Sequence, residues 1–263
     1  KLKVVHNCMC ELKWMRYNGF PMAMPIFDTM LGEYLLDESN KAYSTDVLSL
    51  KKLAIKYTSM GDYAARVTPI IEAGKIETIP LIELGAYCTK DSDATLRIYP
   101  RQKRDLEREE MDPLYHALLI PGSELMARVE LHGAYIDTSK LEEVKQEITA
   151  KLEPLKVDME VWLKGRNPRS PIQLAKALQE NGVTLTEKTK TKRLKLDADV
   201  MEGLSFKHPW IKSLLEYRKW EKLRSTYTDN LKEKIDLDGR LRTNYSLCFT
   251  NTGRLSSKGP NLQ

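Results

Sequence analysis

The segment Thr252-Gly-Arg-Leu-Ser-Ser-Lys-Gly-Pro-Asn-Leu-Gln263 joins turn formers, one permanent cation and several short polar groups within a sequence of 263 residues. Gly253 lacks a Cβ and lets a ligand come near the backbone. Arg254 carries a planar, donor-only fork that does not deprotonate. Ser256, Ser257, Asn261 and Gln263 add short polar contacts. More cations precede them: the run Lys188-Thr-Lys-Thr-Lys-Arg-Leu-Lys195, and Lys222 and Arg224 in a helical stretch. The net charge of +5 is unevenly spread. Residues 1–136 hold 17 Lys+Arg against 19 Asp+Glu, and residues 137–263 hold 25 against 18. The second half is therefore where a polyanion would bind.

Two shorter patterns lie upstream. Tyr87-Cys-Thr-Lys-Asp91 puts a phenol and a carboxylate four residues apart, on one face of a helix. His6-Asn7-Cys-Met-Cys-Glu11-Leu-Lys-Trp14 follows a short apolar run. With the tail, these motifs resemble the family A DNA polymerases, the bacterial DNA polymerase I class. The resemblance runs over nearly the whole chain in family order: exonuclease, connecting palm element, thumb, start of palm. It is carried further by Asn167-Pro-Arg-Ser-Pro-Ile-Gln-Leu174, by the basic run 188–195, and by Leu215-Glu-Tyr-Arg-Lys-Trp-Glu-Lys-Leu-Arg-Ser-Thr-Tyr-Thr-Asp229.

The resemblance implies a DNA-directed DNA polymerase with a 3′–5′ proofreading exonuclease working through two metal ions, Mg²⁺ or Mn²⁺. It implies primed template DNA and deoxynucleotide triphosphates as partners and a monomer as the working state. Arg254 would reach the minor groove at the primer terminus, with Gln263 and Asn261 beside it. The chemistry fits, because the minor groove offers nearly the same acceptors on every base pair. Lys190, Lys192, Arg193, Lys222 and Arg224 would hold backbone phosphates, contacts that give affinity without sequence readout. Amides behind Ser170 could add another. Asn7 joins the DNA-binding set.

In the exonuclease half, Asp91 and Glu11 would be metal ligands and Tyr87 would orient the attacking water. Two-metal phosphodiester cleavage gathers several carboxylates about one phosphate. Here Cys10 stands where the family has an aromatic, and Glu11 stands where it has aspartate. The extra methylene shifts a ligand in a site that needs exact placement. The family's Asp-x-Glu motif has no counterpart after Lys1, and Asp28, which also fits the family pattern, reads as a helix cap. The later palm and fingers motifs are likewise without counterparts. A second class of reading stays open: a non-catalytic DNA-binding module, or one half of a split polymerase.

The elements that must position these groups can be read coarsely. The expected fold class is an α/β, ribonuclease H-like exonuclease domain over 1–110, then a mainly α polymerase part over 111–263. The latter divides into a palm connector, a thumb over 137–235 and first palm strands over 236–263. Short strands are expected at Lys3-Val-Val-His6 and Pro25-Ile-Phe-Asp28. Asp28 caps the next helix, and further helices cover 48–57 and 81–104. A helix through Leu125, Met126 and Val129 ends near Gly133, and a strand follows at 134–137. Ser139-Lys-Leu-Glu142 has the capping-box pattern and opens a long amphipathic helix that Pro154 should kink or interrupt. Ser170 opens another helix, and Asn181-Gly182 ends it. Asp197 caps a third, and a fourth covers 214–231 with Tyr217 and Trp220 as core residues. After a turn at Asp238-Gly239, alternation at Leu241, Thr243, Tyr245, Leu247 and Phe249 reads as one strand.

Composition sets the outer bounds. Hydrophobic residues make up 41% and charged residues 30%, which fits a folded globular chain. No apolar run reaches membrane-spanning length. The cysteines at 8, 10, 88 and 248 match no usual zinc spacing, so reduced thiols in a cytoplasmic protein are expected; the family resemblance implies a bacterial or phage-infected cell. The start at Lys1 and the end at Gln263 suggest a fragment of a longer reading frame.

Overall fold

The protein is seen in a computed structural model that describes residues 1–37, 47–188, 194–250 and 252–262. Helices dominate it. The chain forms two compact units, residues 1–133 with 242–263 and residues 134–241.

In the first unit, β1 (Lys3–Val5) pairs in parallel with β2 (Ile26–Asp28), Val4 opposite Phe27. Between them in sequence lies α1 (Cys8–Tyr17). Helix α2 (Thr29–Leu36) starts directly after β2, because the Asp28 side chain accepts from the amides of Met30 and Leu31. Helices α3 (Leu50–Tyr57) and α4 (Thr68–Glu72) follow. The longest element, α5 (Leu81–Arg108), runs four residues past its expected end. Its buried residues Ala94, Ile98, Gln102 and Leu106 recur every four positions, so one face meets the core. Gln102 Nε2 donates to the Thr29 carbonyl and to Glu33, tying α5 to α2. Phe27 lies edge-on to Tyr99 at 4.8 Å and beside Tyr115 at 4.9 Å. Short α6 (Asp112–Leu114) and a π-helical turn at Tyr115–Leu119 lead into α7 (Ile120–His132), which Gly133 ends at φ +67°.

In the second unit, β3 (Ala134–Tyr135) leads into α8 (Thr138–Leu163). The capping-box expectation is corrected here. Asp137 is the cap, accepting from the amides of Ser139 and Lys140, and Ser139 lies inside the first turn. The Ile136 amide donates to Gly239, which keeps the backbone outside the helix up to Asp137. Pro154 does not interrupt α8. Ser170 caps α9 (Pro171–Glu180) and Asp197 caps α10 (Ala198–Ser205), both as expected. Helix α11 (Ile211–Leu223) passes through a π-helical turn at Arg224–Asp229 into α12 (Asn230–Lys232). Leu152, Met159, Leu174, Leu178, Met201 and Leu214 are fully buried among these helices. Trp162 stacks at a tilt on Trp210, 4.6 Å away. The unit closes where β4 (Arg240–Leu241) pairs antiparallel with β3.

The chain then returns to the first unit. The single strand expected over 241–249 is two short pieces, β4 and β5 (Asn244–Ser246), and β5 pairs antiparallel with β6 (Ser256–Lys258). Thr243 breaks the run because its buried hydroxyl donates to the Pro260 carbonyl. The returning segment is bonded to the start of the chain. Glu130, buried on α7, accepts from the Tyr245 amide and pairs with Lys13 of α1. The Tyr34 hydroxyl donates to the Thr250 carbonyl at 2.7 Å, and Cys248 joins Cys8 in the core.

Candidate functional site

Helices α3 and α5 pack through Leu50, Leu53 and Ala54 against Ala94 and Ile98. That contact sets Lys51 opposite Asp91. The Lys51 ammonium is 2.8 and 2.9 Å from the two carboxylate oxygens of Asp91. The Tyr63 hydroxyl donates to Oδ1 of the same carboxylate at 2.5 Å. Tyr87 stands one turn before Asp91, and the Lys51 ammonium lies 4.7 Å from the centre of its ring. Burial pulls the Lys51 ammonium down, but hydrogen bonds to Asp91 and Tyr87 outweigh it and hold its pKa above the ordinary value. Burial, then the Asp91 hydrogen bond, push the Tyr63 phenol far up, so it stays a donor.

His6 lies close by. Its Nδ1 is 2.9 Å from the Thr29 hydroxyl, which itself donates to the Val5 carbonyl. Burial lowers the His6 pKa, Lys51 lowers it further, and the pull of Asp28 and Asp91 the other way is weaker, so the ring is neutral at pH 7. Asp28 is buried and accepts from four backbone amides, those of Asn7, Cys8, Met30 and Leu31. It therefore caps α2 and also holds the start of α1. Asn7 is in the left-handed conformation at φ +65°, which asparagine tolerates, and its side chain makes no cap. Glu11 is exposed in the first turn of α1.

The structure thus brings Tyr87 and Asp91 together on α5, as their spacing predicts, and adds Lys51 and Tyr63, which the sequence reading missed. Among the described residues, no group of three or more His, Cys, Asp or Glu is arranged to hold a metal ion. The donors at Asp91 are an ammonium and a phenol, a set complementary to a bare carboxylate. These residues do not fit a two-metal centre.

The tail residues stand on the β5–β6 pair. Arg254 lies in the connection between the strands, exposed, with its carbonyl fixed by the Thr250 hydroxyl. Gly253 has φ +69° and open space where a Cβ would be, so backbone conformation is what requires glycine there. Asn261 accepts from Ser257, whose hydroxyl also accepts the Leu262 amide. Gln263 lies outside the described residues.

In the second unit, Lys222 is exposed on α11 and has no ion-pair partner among the described residues. Arg224 is engaged. Its Nη2 is 2.9 Å from Glu221, which also receives Arg169 at 3.1 Å. The Glu221 side chain is only 6% exposed, so this carboxylate joins the Asn167–Ser170 turn to α11. Tyr217 is buried and Trp220 partly so, with Lys151 over the Trp220 ring at 4.1 Å. The Ser170 hydroxyl takes the Gln173 amide at 3.5 Å. Lys190, Lys192 and Arg193 lie outside the described residues.

Comparison with known proteins joins these parts. A family model described as 3'-5' exonuclease matches residues 1–107, and one described as DNA polymerase family A matches residues 138–263. The DNA polymerase of Escherichia phage T5 is 33% identical over 99% of this chain and 34% of its own length. DNA polymerase I of Borreliella burgdorferi is 32% identical over 98% of this chain and 28% of its own. A solved structure of the POL domain of Pol1 from M. smegmatis, in complex with DNA primer-template and dNTP, aligns with a TM-score of 0.77 at 26% identity. It covers 99% of this chain and 42% of that one. The chain spans about a third of the length of the curated relatives it matches. With an exonuclease match and a polymerase match in tandem, and polymerase relatives across nearly every residue, the chain is similar to family A DNA polymerases over almost its whole length.

Proposed function

We propose that this chain is part of a DNA-directed DNA polymerase that acts in template-dependent replication or repair. The observation that carries this is the order of the two matches, exonuclease then polymerase, over relatives that are polymerases from end to end of the aligned region. That order favours a polymerase over a stand-alone DNA-binding module or half of a split enzyme.

In this reading residues 1–110 form the ribonuclease H-like exonuclease domain, 111–136 the palm connector, 137–235 the thumb and 236–263 the first palm strands. The partners are primed template DNA and deoxynucleotide triphosphates, and the working state is a monomer. The exposed guanidinium of Arg254, on a turn braced by Thr250, would enter the minor groove, with Asn261 and Gln263 beside it. Lys222 would hold a backbone phosphate. Lys190, Lys192 and Arg193 keep that assignment from sequence alone, as does Asn7. Mg²⁺ or Mn²⁺ would serve nucleotide addition in the whole polymerase. No metal-dependent step is assigned to Asp91, Tyr87 or Glu11. No described helix is long and apolar enough to cross a membrane. The same reading carries a cytoplasmic location in a bacterial or phage-infected cell.

The test is fluorescence anisotropy of a labelled primer-template with the 263-residue chain. Binding should weaken steeply as salt rises, since each phosphate contact releases counterions. Arg254→Ala should weaken it about tenfold for every primer sequence tried, as loss of a charged hydrogen bond predicts. Binding that ignores salt, or an Arg254→Ala effect confined to one sequence, would reject the reading.

A further inference from the structure

We infer that Lys51 is the resident cation of Asp91: its ammonium occupies the carboxylate that an exonuclease of this family would offer to a metal ion, and this half of the chain serves as a packed scaffold. The inference rests on the reading of residues 1–107 as an exonuclease-type domain.

The arrangement is built rather than incidental. Lys51 is on α3, and its position relative to α5 follows from the buried contact of Leu53 and Ala54 with Ala94 and Ile98. Its ammonium reaches both oxygens of Asp91. It also lies 4.7 Å from the ring centre of Tyr87 and 5.8 Å from that of Tyr63, so two aromatic faces add cation–π attraction. Tyr63 supplies a further donor to Oδ1. A carboxylate accepts about four hydrogen bonds, and three are made here by protein donors.

A divalent ion at Asp91 would have to displace the ammonium or sit beside it against like-charge repulsion. Among the described residues, His6 and Asp28 offer no compensation. His6 is neutral and faces Thr29. The carboxylate of Asp28 is taken by four amides. Among the described residues, Lys51 is thus a fixed positive charge at this carboxylate, and Asp28 and Asp91 are already matched. Tyr87, which would orient water in a nuclease, instead lines the ammonium.

The experiment uses the 263-residue chain. Mn²⁺ is titrated into wild type and Asp91→Asn, with free Mn²⁺ followed by electron paramagnetic resonance. Thermal unfolding is measured in chelator for wild type, Lys51→Met, Asp91→Asn and the double variant. The expected result is that the two proteins take up Mn²⁺ equally. Each single substitution should lower Tm by on the order of 5 °C, and the double variant should be no worse than the poorer single one, as for a directly coupled pair. Saturable Mn²⁺ binding lost with Asp91→Asn would overturn the inference, as would strictly additive Tm losses. Lys51→Arg, which keeps the charge, should restore most of the stability, and its failure to do so would also count against it. Primer-template binding measured on the same samples reports separately on the polymerase reading, since neither variant lies among the residues assigned to DNA.

Discussion

Asp28→Ala tests whether the buried carboxylate after β2 is a structural cap or an idle metal ligand. The side chain is 1% exposed. Oδ1 accepts from Asn7 at 3.0 Å, Met30 at 2.8 Å and Leu31 at 3.4 Å, and Oδ2 accepts from Cys8 at 2.6 Å. Alanine removes both acceptor oxygens, and so all four hydrogen bonds, at once. Loss of the α2 cap should cost about 1 kcal/mol. The Asn7 and Cys8 amides are left with no acceptor in a site water does not reach, at about 1–3 kcal/mol each. The sum is on the order of 3–7 kcal/mol. For a unit of this size that is a fall in Tm of on the order of 10 °C, at about 2–4 °C per kcal/mol. Tryptophan fluorescence is the wrong probe, because three of the four tryptophans, at 162, 210 and 220, lie in the other unit. Calorimetry, or far-UV circular dichroism with urea, follows the affected transition. The urea midpoint should drop with the slope unchanged. Asp28→Asn keeps one acceptor and turns its NH₂ toward an amide, so it should lose about half as much. A Tm shift under about 2 °C for Asp28→Ala would refute the capping argument, for a carboxylate waiting for a metal contributes little to the metal-free fold.

Other consequences follow from the same geometry. Glu221→Ala strips the shared partner from Arg169 and Arg224 in a buried site, so the tryptophan-detected transition should lose about 3–5 kcal/mol in urea titration. Lys222→Ala should leave Tm unchanged while lowering the slope of log K against log salt for duplex binding by about 0.9, one phosphate contact. His6 has its folded pKa lowered below the ordinary 6.5, mainly by burial. Between the two values the unfolded chain binds a proton that the folded chain does not. Stability is therefore full above about 6.5 and is lost as pH falls through the folded value. Urea midpoints from about pH 8 down to about 5 should show this slope, and His6→Gln should flatten it.

The legible parts of this molecule were those set by neighbours in sequence. Asp28, Ser170 and Asp197 announce helix starts because a cap acts within three residues. Tyr87 and Asp91 share a face because four residues make about one turn. Ser139 misled because Asp137, two residues earlier, is as good a cap, and the choice was made by the Ile136–Gly239 hydrogen bond far along the chain. Lys51 and Asp91 are 40 residues apart and meet only because two apolar helix faces pack. Glu130 joins Lys13 and Tyr245 over more than a hundred residues on either side. The charge shift near residue 136 gave no hint that 242–263 would pack with the first unit. Arg224 read as a free cation because its partner, Glu221, looked like one more surface acid on a charged helix.

How charge is matched separates a metal-dependent nuclease from a surface that holds a phosphate backbone. A metal-dependent nuclease keeps carboxylates together with their charge uncompensated, since the bound ions supply the balance. The first unit does the opposite. Asp28 is matched by amides, Glu33 by Lys56 and Gln102, Asp91 by Lys51 and Tyr63, and Glu130 by Lys13 and the Tyr245 amide. Each of these four groups is neutralised where it stands, which stabilises the fold and leaves little field for a cation there. Lys222 on α11 and Arg254 on the β5–β6 turn face solvent without such matching among the described residues. Exposed positive charge on rigid supports is what a phosphate backbone recognises, and both of these cations lie in the residues that match the polymerase.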